Sequence, residues 1–294
     1  MPAPLDNPRA PGPSADTRAR ATVKIPFDYH IHTHFSSDCE TPLFEVCHSA
    51  TALGLPEIGI TEHFDLLPED PSYGYLRFDE WWQEIDICRR AFTDMLTIRA
   101  GIEIGEPHRF PLQVGDLQAH FPWDYCLGAL HWVAGTLIWD RAYYERSQDQ
   151  AYGDYFAELA DVAAAGGFDI LAHMDVIKHY GSQNYGPFDP RRYEAEIRTV
   201  LRTCARQGIA LEVNSGLLRR PIAELSPETL ILSWFRDEGG ARITIGSDAH
   251  RAEHVGLGLD RAVRTVRAAG FDQLTAFHAR QPHSVHLGIE AAGR

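Results

Sequence analysis

The sequence contains no apolar run long enough to cross a membrane, no C-x-x-C pair, no excess of basic charge and no internal repeat. Each absence excludes something. A transmembrane helix needs about 18 or more consecutive apolar residues, so none is expected. The cysteines are Cys39, Cys47, Cys88, Cys126 and Cys204, an odd count without the spacing of a redox or zinc pair. That excludes a disulfide-built scaffold and predicts thiols in a reducing compartment, the cytoplasm. Lys and Arg number 27 against 41 Asp and Glu, a formal net charge of −14. Long nucleic acid and anionic membrane surfaces want a basic face, so both are disfavoured as partners. The N-terminus carries charge but no apolar h-region, unlike a secretory signal. Oligomeric state is not legible.

What is present is a β/α alternation. Residues 1–22 combine Pro, Ala, Gly and Arg with little to bury and are expected to be a disordered leader, followed by one domain over 23–294. Strand-type runs lie near 25–31, 56–61, 97–104, 124–130, 168–172, 209–213, 242–246 and 284–288. Helical runs separate them. In "TPLFEVCHSATALG" Thr41 reads as N-cap, Pro42 as the first helical residue and Gly54 as the stop. "DEWWQEIDICRRAF" places Trp82, Ile85 and Arg89 on one side, and Tyr152, Phe156, Leu159 and Ala163 form an apolar stripe ending at Gly166-Gly167. Two further helices stop at Gly208 and Gly270. An α/β protein with a parallel sheet follows, either an open doubly wound sheet or a closed barrel. In a barrel the chemistry sits at the C-terminal ends of the strands.

Polar, mostly ionisable residues follow the apolar runs at nearly every strand end: His30 and His32, Glu62 and His63, Glu103, His131, His173 and Asp175, Glu212 and Asn214, then Asp248 and His250. In "DYHIHTHFSSD" the histidines alternate, so His30, His32 and His34 share one face of an extended segment. A lone strand-end histidine is more often hydrogen-bonded or exposed than a ligand. That bland reading is kept for His48, His108, His120, His179, His254, His278, His283 and His286, which fall in helices or loops. A set recurring at the same end of successive parallel strands would converge on one region. Unpaired there, it would be costly to bury. Imidazoles and carboxylates without thiolates suit zinc, manganese or iron, and the donors outnumber the needs of one tetrahedral ion. Two or three divalent ions would clamp a phosphoryl group and generate hydroxide from water near neutral pH.

The motifs "DYHIHTHFSSD", "ITEHFD", "GIEIGEP", "DYCLGALHW", "LAHMDVIKHYG", "LEVNSGLLR" and "GSDAHRAEHVG" occur in that order. In this the chain resembles the polymerase and histidinol phosphatase (PHP) family, most closely its histidinol-phosphate phosphatase branch. The resemblance implies a distorted (β/α)7 barrel, TIM-like, with a metal cluster at the strand C-termini. It implies that His30, His32, Glu103 and Asp248 hold one ion, and that Glu103 bridges to a second ion held also by His131 and His173. Asp38, His63 and His250 would hold a third. His34 has no ligand role in the pattern.

The implied activity is hydrolysis of L-histidinol phosphate to L-histidinol and phosphate, in histidine biosynthesis. Asp248 and His250 would act through a metal-held hydroxide. A small-molecule phosphate ester is the expected partner. Lys178 and Arg219 are candidates for binding the phosphate dianion, and Asp28, Asp175, Glu212 and Asn214 for orienting ligand imidazoles. Loops 64–78 and 132–148, with Tyr75, Trp132 and Trp139, are candidates for the substrate wall. The competing readings are another phosphoesterase, acting on small nucleotides, cyclic phosphates or other monoesters, and a non-catalytic metal-binding module. Competent side chains at all nine ligand positions disfavour the module.

Overall fold

The computed structural model describes residues 23–288; the leader expected at 1–22 lies outside them. Strands β1 (Glu57–Phe64), β2 (Thr97–Gly105) and β3 (Tyr125–Ala129) are followed by a small antiparallel pair, β4 (Trp132–Val133) and β5 (Thr136–Leu137). Then come β6 (Ile170–Leu171), β7 (Ala210–Asn214) and β8 (Ile243–Gly246), and a closing antiparallel hairpin, β9 (Gln273–His278) and β10 (Gln281–His286). One parallel sheet has the order β1-β2-β3-β6-β7-β8. Its strands are buried along nearly their whole length, as expected for a sheet covered on both faces.

The sheet curls until its two edges face the segment at Asp28–Ile31. Asp28 bridges to Ile58 in β1 and Ile31 to Ala249 just after β8, both parallel. The segment is thus the seventh member of a distorted (β/α) barrel, but an irregular one. Side chains replace part of its ladder: the Ile31 amide donates to Thr61 Oγ1 at 3.1 Å, and the His30 amide to Asp28 Oδ1 at 3.5 Å.

The expected strand at 284–288 is not a barrel strand. It belongs to the hairpin, which covers the opposite mouth. There His278 meets Asp124, just before β3, at 2.9 Å, and Arg280 Nε donates to Asp169, just before β6, at 2.9 Å. The Phe277 amide donates to Tyr29 Oη at 3.2 Å.

The helices are α1 (Leu43–Ala52), α2 (Phe78–Ala91), α3 (Pro111–His120), α4 (Gln148–Ala165), α5 (Ile177–Tyr185), α6 (Glu194–Gln207), α7 (Thr229–Asp237) and α8 (Leu259–Ala268). Tyr152, Phe156, Leu159 and Ala163 are all buried in α4, which opens with a capping box between Ser147 and Gln150. Two local expectations are corrected. Pro42, not Thr41, caps α1, because the Thr41 hydroxyl donates instead to the His250 carbonyl at 3.2 Å. In α2 the buried face is Trp81, Ile85 and Cys88; Ile85 lies on it as expected, while Trp82 and Arg89, expected beside it, are only partly buried. Arg89 turns outward to Asp124 at 3.2 Å.

Candidate metal centre

Every expected ligand leaves the barrel at one rim. His63 and Glu103 lie in the last turns of β1 and β2, while His131, His173, Asp248 and His250 follow β3, β6 and β8 within a few residues. Asp248 adopts a left-handed backbone with φ of 54°, a conformation that costs strain and turns the chain sharply at the rim.

Glu103 stands in the middle. Its Oε2 lies 3.0 Å from His63 Nδ1, 3.4 Å from His30 Nε2 and 3.5 Å from His32 Nε2. Its Oε1 lies 2.9 Å from His173 Nε2 and 3.7 Å from His131 Nε2. Asp248 Oδ1 faces His32 Nε2 and His250 Nδ1, each at 3.5 Å, and His30 Nε2 at 3.8 Å. Asp38, reached from the loop before α1, spans His250 Nε2 at 3.1 Å and His63 Nε2 at 3.5 Å.

The donor set fits divalent metal. His30 Nδ1 lies 2.8 Å from Glu212 Oε1, which fixes the ring proton on that side and leaves Nε2 as a bare donor. That Nε2 is only 3.1 Å from His32 Nε2, whose own Nδ1 meets Ser36 Oγ at 3.0 Å. Two ring nitrogens and a carboxylate oxygen are aimed at one point. Glu103 Oε2 and His63 Nδ1 are buried without a hydrogen bond of acceptable geometry. Burial opposes charge on His30, yet Glu212, Glu103 and Asp248 hold its pKa well above the imidazole range. Burial, with His250 and His63, pushes His32 well below it. Adjacent rings with opposed proton demands are reconciled by a cation that takes both lone pairs. Four overlapping groups lie within ligating reach: His30/His32/Glu103, Glu103/His131/His173, His30/His173/Asp248 and His32/His63/His250.

The surrounding residues divide into those that orient the cage and those that do not. Glu212 meets His30 and accepts from the His173 amide at 2.8 Å, and Asn214 Nδ2 donates to Asp248 Oδ2 at 3.3 Å. Asp28 touches no ligand imidazole. It accepts from the Ser247 and Gly256 amides at 2.8 and 2.9 Å and so braces the backbone below Asp248. Asp175 likewise orients no imidazole, and Lys178 is not free for a phosphate. The buried Lys178 ammonium is 2.9 Å from Asp175, 3.3 Å from Glu224 and 2.6 Å from the Leu225 carbonyl. Its three hydrogens are thus matched by three partners, none of them an expected metal ligand. His34 turns outward to Glu84 at 3.5 Å.

Two orienting carboxylates had no assigned role in the sequence reading. Buried Glu62 accepts from Ser36 Oγ at 2.6 Å, so Ser36 relays it to His32. Glu106 accepts from the His131 and Trp132 amides at 2.6 and 2.9 Å and pins the rim there. Burial pushes the Glu106 carboxyl up to about 7. Glu62 stood out only as a strand-end acid, and Glu106 within "GIEIGEP" carried no signal beyond its motif.

The cage forms the floor of a cleft of about 710 Å³. Arg219, Arg220, Arg251 and His254 line it, as do Ile138, Trp139, Val176 and Tyr180. Arg219 is held by donating to the Ser247 and Asp248 carbonyls at 2.8 and 2.7 Å. Of the expected wall aromatics only Trp139 lines the cleft. Trp132 donates to Asp70 at 2.7 Å, and Tyr75 sits under the Arg77 guanidinium. His254, read from sequence as an ordinary loop histidine, also reaches the cleft.

Gly246 ends β8 where a side chain would collide with His30 and with Glu212 Oε1. Gly246→Ala is therefore expected to displace both, costing about 1–3 kcal/mol and lowering metal affinity about 10–100-fold. Thermal unfolding and a chelator competition on the purified variant check this.

Residues 28–216 match the PHP domain family. The histidinol-phosphatase of Lactococcus lactis is 28% identical over 253 residues, 85% of this chain and 93% of that protein. A probable histidinol-phosphatase of Deinococcus radiodurans is 27% identical over 261 residues, 86% of this chain and 97% of that one. The crystal structure of histidinol phosphate phosphatase from Lactococcus lactis, complexed with zinc, L-histidinol and phosphate, has a TM-score of 0.81 at 28% identity, covering 88% of this chain and 98% of that one. A putative histidinol phosphatase from Listeria monocytogenes, at 18% identity and a TM-score of 0.70 over 80% of this chain and 99% of that one, shares the fold. With well over half of its residues matched, and with the barrel and rim cluster described above, the chain belongs to the PHP domain family.

Proposed function

We propose that this protein is a metal-dependent phosphomonoesterase that hydrolyses L-histidinol phosphate to L-histidinol and phosphate, a step of histidine biosynthesis. The observation that carries the reading is the carboxylate of Glu103 ringed by five imidazoles beneath an arginine-walled cleft, in a chain alignable with 93% of a histidinol-phosphatase. His30, His32, Glu103 and Asp248 would hold one ion. Glu103, His131 and His173 would hold a second, and Asp38, His63 and His250 a third. Two or three zinc, manganese or iron ions suit these donors. When bound, such ions neutralise a phosphate dianion and lower the pKa of water near the phosphorus.

The protein's own groups do the rest. Glu212 and Asn214 hold the His30 ring and the Asp248 carboxylate in register, so that no reorganisation is needed as charge develops. Arg219, its guanidinium fixed by two carbonyls, and exposed Arg220 present fixed positive charge to the phosphate oxygens. Trp139 and Tyr180 offer flat faces to the leaving group and restrict water on that side. Residues from 23 onward act as one barrel domain. Buried thiols at all five cysteines fit the cytoplasm.

A second reading has one observation in its favour. Among the described residues the only acids lining the cleft are Asp38, Glu103 and Asp248, all of the cage, so no further carboxylate there meets an amine. A phosphomonoester with a neutral or anionic leaving group would suit that lining. Phosphate release from L-histidinol phosphate, ribose 5-phosphate, nucleoside monophosphates and a cyclic nucleotide by the metal-loaded protein separates the two readings. The first expects the highest kcat/KM for L-histidinol phosphate. Preference for another ester by tenfold or more would replace it.

A further inference from the structure

Lys178 is among the largest fully buried side chains. It is not among the residues that line the cleft, yet it belongs to a continuous chain of polar contacts that ends in the cage. Its ammonium meets Asp175 Oδ2 at 2.9 Å, and Asp175 Oδ1 accepts from Ser226 Oγ at 2.5 Å. The Ser226 backbone exchanges both hydrogen bonds with Asn214, at 2.7 and 2.9 Å, and Asn214 Nδ2 donates to Asp248 Oδ2 at 3.3 Å. Lys178 also clasps the Leu225 carbonyl and Glu224 directly. Lys178 and Asp175 thus grip one end of the loop 215–226, at Glu224, Leu225 and Ser226, and Ser226 pairs with Asn214, the residue just before its other end; the loop carries Arg219 and Arg220. Lys178 itself projects from α5, the helix that supplies Tyr180 to the lining of the same cleft.

We propose that Lys178, with Asp175 and Ser226, is the fastening that ties the 215–226 loop to α5 and thereby sets the spacing between Arg219 and Arg220 on the loop and Tyr180 on the helix. It is a positioning residue, acting on phosphate through Arg219 and Arg220. The inference rests on the reading of the cleft as a phosphate site for its consequence, but not for the fastening itself. A buried ion pair is weak evidence for stability, since an apolar pair of similar volume often serves as well. What the pair supplies here is registry between a loop and a helix that share no strand.

The test uses the full-length, metal-loaded protein with inorganic phosphate as the probe. In Lys178→Met, amide hydrogen exchange across 215–226 should quicken by about tenfold or more while β7 and β8 keep their protection and metal content is unchanged. The dissociation constant for phosphate should rise about tenfold. In a background already carrying Arg219→Ala and Arg220→Ala, the same substitution should add less than about twofold. Removing one partner of a buried pair is severe, so Ser226→Ala provides a second variant that cuts the chain while leaving the ion pair whole. It should show the same pattern at smaller size. Unchanged exchange in 215–226, exchange raised evenly through the whole barrel, or phosphate effects that add fully to those of the arginine substitutions would each overturn the proposal. If phosphate fails to bind the unsubstituted protein, the reading of the cleft falls, and the exchange experiment still decides the fastening.

Discussion

Glu103→Gln is expected to lower kcat/KM for phosphate release at least about 10³-fold and to remove metal from the purified protein. The two oxygens of Glu103 face different sets of imidazoles: His30, His32 and His63 on one side, His131 and His173 on the other. Burial alone would raise its pKa, but His30 and His63 hold it well below the carboxylate range, so it is an anion in the cage. Glutamine preserves shape and packing but supplies one oxygen where two are needed, and no charge. The divalent ions that Glu103 would help hold contribute several kcal/mol of charge stabilisation, and each 1.36 kcal/mol is tenfold in rate. Elemental analysis alongside steady-state kinetics reads both effects. Full metal content with a rate within tenfold of the unsubstituted protein would remove Glu103 from the bridging position.

Asp248→Asn is expected to lower kcat by about 10²–10³ while leaving the fold in place. Asparagine tolerates a left-handed backbone as aspartate does, so the turn at φ 54° survives. Asn214 can still meet the side chain. What is lost is the negative charge that faces His30, His32 and His250 together. Those imidazoles draw the Asp248 carboxyl down against the effect of burial, the signature of an anion among positive charge. Circular dichroism and thermal unfolding of the variant, set against its kinetics, separate the charge from the backbone. A variant with native stability and a native rate would show that Asp248 is dispensable to the chemistry.

The barrel was legible because each parallel strand is short, apolar and followed by an ionisable residue, so that strand order and rim chemistry are written in the same segments. Ile60–His63 and Ile243–Asp248 carry both signals at once. Less was legible wherever a side chain's partner comes from elsewhere in the chain. Thr41 has the chemistry of an N-cap, but the His250 carbonyl, far away in sequence, claims its hydroxyl. Lys178 reads as a cation near a strand end, and only the folded 215–226 loop shows that Asp175, Glu224 and Leu225 surround it. The first barrel segment is irregular because Thr61 and Asp28 side chains replace ladder partners, which periodicity cannot show. Helix α7, "TLILSWFRD", is a short run whose apolar character alone does not distinguish helix from strand. The approach of His254 to the cleft likewise depends on how the chain turns after His250.

The most direct test is a metal titration of chelator-stripped protein with L-histidinol phosphate as substrate, following phosphate release against ions bound per chain. Activity is expected to be absent without metal and to climb to a plateau as the second or third equivalent of Zn²⁺ or Mn²⁺ is taken up. Fewer than one ion bound per chain, or three bound with no release of phosphate from L-histidinol phosphate, would contradict the account.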